Sequence, residues 1–173
     1  MIGAVEVIVR TSTRGLAVIL AAALAASVHA QSTAPPPQQT DGDRVDQLLA
    51  SSKFMARRLE GTKQPVWIIK RKGENLKEFE VILTAKSGLL TTFITVATKD
   101  NIKRTPELCE QLLKFNYKYD SVKIGFDGDE DAYVRMDSRL RVVDLQEFNQ
   151  VIEQVSSTAE ALHKELQPYF ISK

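Results

Sequence analysis

The sequence predicts an α+β domain: a five-stranded antiparallel sheet packed with helices, in the order α-β-β-β-α-β-β-α. Three observations predict it. Segments dense in β-branched and aromatic residues fall into a group of three and a group of two. The links inside each group are short and carry glycine, which suits antiparallel neighbours and is too little chain for a parallel crossover. Stretches with helical apolar spacing precede, separate and follow the two groups, and one sheet covered by helices hides all of these stripes together.

Residues 1–30 read as a signal peptide. Arg10 and Arg14 supply the positive region, Leu16–Ala26 supplies the apolar core, and Val28-His29-Ala30 sets small residues before Gln31. The apolar run is well short of the about 20 residues needed to cross a bilayer. The expectation is therefore cleavage, a periplasmic or secreted product, and no stable membrane insertion afterwards. Residues 31–42 form a Pro-rich leader: QSTAPPPQQT has no apolar periodicity, so burial cannot offset the entropy of ordering it. The folded domain is expected over residues 43–173.

The first helix is expected from Asp43 to Leu59, capped by Asp41 or Asp43 and closed by Gly61. Val45, Leu48, Leu49, Ser52, Met55, Ala56 and Leu59 recur at its spacing. Strands follow at Val66–Lys70, Leu76–Thr84 and Leu89–Thr98. The second helix starts at the N-cap Thr105 with Pro106 in its first turn, and Leu108, Cys109, Leu112, Leu113 and Phe115 make its inward stripe. Ser121–Phe126 and Ala132–Met136 form a hairpin across the Asp127-Gly128 turn. The last helix opens at Asp144 with Glu147 three residues on, and Leu145, Phe148, Ile152, Val155, Ala159, Leu162 and Leu166 form its stripe before Pro168. That stripe is too short a seam to favour a coiled coil over packing on the sheet.

The 173 residues include 23 Lys and Arg and 22 Asp and Glu. Loss of residues 1–30 removes Arg10, Arg14 and Glu6 and leaves a formally neutral chain. This argues against nucleic-acid binding, which rewards a concentrated basic excess. Cys109 is the only cysteine, so no internal disulfide can form and packing must supply the stability. It reads as an inert, buried thiol.

No catalytic constellation emerges. His163, beside Glu160 and Glu165, lacks the partners of a zinc site. The acidic stretch Asp127, Asp129, Glu130 and Asp131 departs from the spacing of a calcium loop and reads as a soluble hairpin tip. A calcium-dependent activity there stays as an alternative. There is no G-x-S-x-G motif, and Gly61, Gly73, Gly88, Gly125 and Gly128 are isolated. The expectation is no enzyme, no metal and no cofactor. Of Trp67, Phe79, Phe93, Tyr117, Tyr119 and Tyr133, most suit the core. Trp67 and Tyr133 are the candidate partner contacts, Trp67 because its strand would lie at a sheet edge able to receive an extended segment.

Particular stretches carry a resemblance. Val66-Trp67-Ile68-Ile69, the hairpin from Val122 through Asp129 with Ala132 to Asp137, and Val143-Asp144-Leu145-Gln146-Glu147-Phe148 resemble the YbjN family of bacterial sensory transduction regulators. The resemblance runs from about Val45 to Tyr169 and implies the fold of type III secretion chaperones. Those chaperones are dimers that wrap a client segment over apolar patches, and most are acidic and cytosolic. This chain is neutral and carries an export signal, so the resemblance implies a general capacity to hold a protein or peptide in the cell envelope, with a regulatory or chaperone-like consequence. Self-association as a homodimer or structural protein is the other expectation.

Overall fold

The computed structural model describes residues 39–171; the expected signal peptide and most of the Pro-rich leader lie outside them. Three helices and six strands follow one another: α1 (Asp41–Ser51), β1 (Ala56–Leu59), β2 (Val66–Arg71), β3 (Phe79–Lys86), β4 (Leu89–Ala97), α2 (Pro106–Lys118), β5 (Lys123–Phe126), β6 (Ala132–Arg139) and α3 (Leu145–Glu165). All strand pairings are antiparallel, in the spatial order β1-β2-β3-β4-β6-β5.

This corrects the expected fold, which had five strands and the order α-β-β-β-α-β-β-α. The sixth strand comes from the chain assigned to the end of the first helix. The Ser52 hydroxyl donates to the Leu49 carbonyl at 3.0 Å and accepts from the Phe54 amide at 3.2 Å, so a side chain competes for the backbone groups that would continue the helix. Met55, on the apolar stripe of the longer helix, is 92% exposed. Ala56–Leu59 then pairs with β2, and Gly61, at φ 76°, makes the turn between them. The start also shifts: Thr40 is the N-cap, and Asp43 completes a capping box with it.

Side chains alternate across a strand, and here alternation separates a covered face from an uncovered one. Trp67 and Ile69, Val81 and Leu83, Leu90 and Ile94, Val134 and Met136, and Ile124 point to the helices and are buried. α3 lies across β4 and β6, α2 against β5 and α1 against β3. Phe148, Val151, Ile152, Val155, Ala159 and Leu162 form the buried stripe of α3, whose first turn the Asp144 carboxylate caps at the Glu147 amide, 2.8 Å away. The β3–β4 turn places Ser87 and Gly88 both at positive φ, as a two-residue hairpin turn requires.

The two sheet edges are treated differently. At β5 the Asn116 amide accepts from the Ile124 N–H at 2.8 Å and donates to the Ile124 carbonyl at 2.6 Å, so α2 fills the place of another strand. At the other edge lies β1, short and charged through Arg57 and Arg58.

Candidate functional site

Among the described residues, the surface left without helical cover is the other face of the sheet. Pairing registers define it: Leu59 beside Val66, Ile68 beside Ile82 and then Phe93, Thr84 beside Thr91, Thr95 beside Tyr133, and Phe93 beside Arg135. Val66, Ile82, Phe93 and Tyr133 are half-buried, and no described helix packs on them. They line a groove of about 870 Å³ that continues to Lys86, Ser87 and Leu89 at one end and to Asp127 and Gly128 at the other. Thr84 and Thr91 complete a floor that is aliphatic, aromatic and hydroxylated, with its charges at the margins.

One marginal network is fixed in place. The Asp137 carboxylate accepts from Lys123 Nζ, Arg135 Nε and Thr91 Oγ1, each at 2.8 Å. Burial of this carboxylate acts to raise its pKa, but the three donors and the charge of Arg135 outweigh it and hold the group at about 2. Arg135 is thereby held beside Phe93 at the groove wall.

The structure separates the two candidate contacts. Tyr133 faces the groove. Trp67 faces the helices, is 1% exposed, and donates from its indole nitrogen to Asp46 at 2.7 Å, with the Arg58 guanidinium over its ring. Its strand is interior, because β1 takes the edge position. Phe93 and Ile82 join Tyr133. Their signal in the sequence is the run Leu89–Thr98, which is apolar or β-branched at nearly every position instead of every second one.

The polar candidates are occupied with local structure. Asp127 Oδ1 accepts from the amides of Asp129 and Asp131, Asp131 accepts from the Lys99 amide, and Glu130 pairs with Arg104. Glu160 accepts from the amides of Asn75 and Leu76 instead of turning to His163. Burial lowers the His163 pKa, the Glu160 charge opposes this, and the ring packs on Phe170. Cys109 is half-buried on α2. Its neighbour Leu113, expected in the inward stripe, is 70% exposed, as is Tyr117 one turn on at 93%. Among the described residues, no group of His, Cys, Asp and Glu is placed to hold a metal ion, and no helix is long and apolar enough to cross a membrane.

The sequence model of the YbjN family, described as "Putative bacterial sensory transduction regulator", matches residues 41–168. The chain belongs to the YbjN family. Solved structures similar to this YbjN-family chain include one from the ExoU–SpcU heterodimer of the Pseudomonas aeruginosa type III secretion system, at 18% identity and a TM-score of 0.47, covering 72% of this chain and 98% of that one. One from the ExsC–ExsE complex matches at 16% identity and a TM-score of 0.47, covering 72% and 95%. YbjN from E. coli matches at 12% identity and a TM-score of 0.46, covering 75% and 94%. No curated protein matches the chain.

Proposed function

We propose that this YbjN-family chain is an exported, non-enzymatic binding domain that holds a segment of another protein against the uncovered face of its sheet, with a regulatory or chaperone-like consequence. One observation carries the reading: helices cover one face, and the other presents Val66, Ile82, Phe93 and Tyr133 around an open groove. Apolar surface of this kind, rimmed by polar side chains, is the ordinary mark of an interaction site. Phe93 and Tyr133 are the contact residues. Trp67 contributes indirectly by anchoring β2 to α1.

The test is comparative capture from periplasmic extract. A partner retained by the wild-type chain and lost with Phe93→Ser and Tyr133→Ser, both still melting cooperatively, supports the reading. A partner retained equally by all three chains removes it.

Exposed Leu113 and Tyr117 favour a second reading, in which α2 pairs with α2 of another copy. Sedimentation of the chain over a range of concentrations tests it: a dimer abolished by Leu113→Glu supports self-association, and a monomer throughout excludes it. For the calcium alternative at Asp127–Asp131, an unchanged melting profile after chelation is the excluding result.

A further inference from the structure

The groove is polarised along its length. β6 runs from Ala132, paired with Ala97, to Arg139, paired with Leu89, so the β5–β6 hairpin and the β3–β4 turn lie at opposite ends of the strands. At the turn end stands Lys86, with Arg139 outside the groove lining by register with Leu89 and the Asp41 carboxylate held on the Gly88 amide at 2.8 Å. Among the described residues neither Lys86 nor Arg139 has a carboxylate partner within ion-pair distance. At the hairpin end stands Asp127, with Asp129 and Asp131 in the same turn, while Glu130 is paired with Arg104. Between the ends the charges are largely tied up: Asp137 holds both Lys123 and Arg135, and Lys70 stands opposite Glu80 in the strand register. The whole chain carries a formal net charge of only +1, so this polarity exists only after folding.

We infer that the groove takes an extended partner segment with an apolar middle, acidic residues at one end over Lys86 and Arg139, and basic residues at the other end beside Asp127. This rests on the open-face reading above and adds the chemistry of the partner. Along β4 the floor runs from Leu89 to Thr95, which at the usual rise per residue is about 20 Å, or about six to seven extended residues. A second copy fits less well. Its sheet would have to cover and desolvate the Asp137–Arg135–Lys123 network, a cost that a single extended segment avoids by lying beside it. Charge at the ends then sets which segments are accepted and how they are oriented, more than how tightly an apolar core is held.

Fluorescent peptides of about ten residues test this, each with the same Val and Phe middle and with ends that are acidic and basic, both acidic, both basic, or both Gln. Anisotropy titrations of the purified full chain at low salt should rank the mixed-end peptide first, about tenfold above the Gln-ended one, with the gap closing as salt rises. Lys86→Glu with Arg139→Glu should transfer the preference to the peptide basic at both ends, while Phe93→Ser and Tyr133→Ser should weaken all four alike. Equal binding of all four peptides, lost in Phe93→Ser, overturns the polarity and leaves the open-face reading standing. Binding indifferent to both aromatic substitutions overturns both. A single-stranded oligothymidine bound more tightly than any peptide, or a sedimentation dimer abolished by Phe93→Ser, overturns the peptide partner in favour of nucleic acid or a second copy.

Discussion

Individual residues carry unequal weight, and burial combined with pairing decides which matter. Thr92 is fully buried on the covered face of β4, and its hydroxyl has no partner among the described residues. A buried hydroxyl without a hydrogen bond is a cost that an isosteric methyl removes, so Thr92→Val should be neutral or stabilising by about 1 kcal/mol in urea unfolding. Asp137 is the opposite case. Its folded pKa of about 2 lies below its ordinary 3.8, so its contribution to stability is complete above about pH 4 and disappears as pH falls through 2. Discounted for partial exposure, Asp137→Asn should cost about 1–2 kcal/mol at neutral pH, with the difference shrinking through pH 2 and lost below it; unfolding curves across that window check the convergence. Tyr133, one of the two expected contacts, lies on the uncovered face and is a proposed contact there. Trp67 was not legible as a core residue, since its burial depends on β1 and on Asp46, a strand and a helix away.

At the level of elements, sequence pattern located most of the fold and failed where side chains rewrite the backbone. β2, β4, α2 and α3 fall close to their expected positions because apolar periodicity, Thr105 and Asp144 act locally. The α1–β1 boundary does not, because Val45 to Leu59 keeps helical spacing across Ser52, and the helix ends there on the amide and hydroxyl contacts of Ser52 to Leu49 and Phe54. A short edge strand with two arginines offers no alternation to recognise. The uncovered face was hidden for a related reason: β4 is apolar on both sides, which a strand buried in a core would also show. Asn116 is a further element-scale device. Asn116→Ala should release the Ile124 amide to rapid hydrogen exchange, cost about 1–2 kcal/mol and leave β5 open to pairing with other chains; unchanged exchange at Ile124 would show that the amide does not seal the edge.

As a whole molecule, the described domain puts its helices on one side of the sheet and the proposed recognition surface on the other. α3, the longest of the described helices, packs on β4 and β6, whose opposite surfaces carry Phe93 and Tyr133, so the groove floor is backed by the fully buried stripe of α3. Substitutions in the groove should therefore change binding far more than stability. The most direct measurement of this division is site-specific photocrosslinking in cells, with benzoylphenylalanine in place of Phe93, of Tyr133, or of Met55, which is exposed but outside the groove. The account predicts adducts to another protein from positions 93 and 133 and none from position 55. Adducts equally abundant from all three, or absent from 93 and 133, would contradict it.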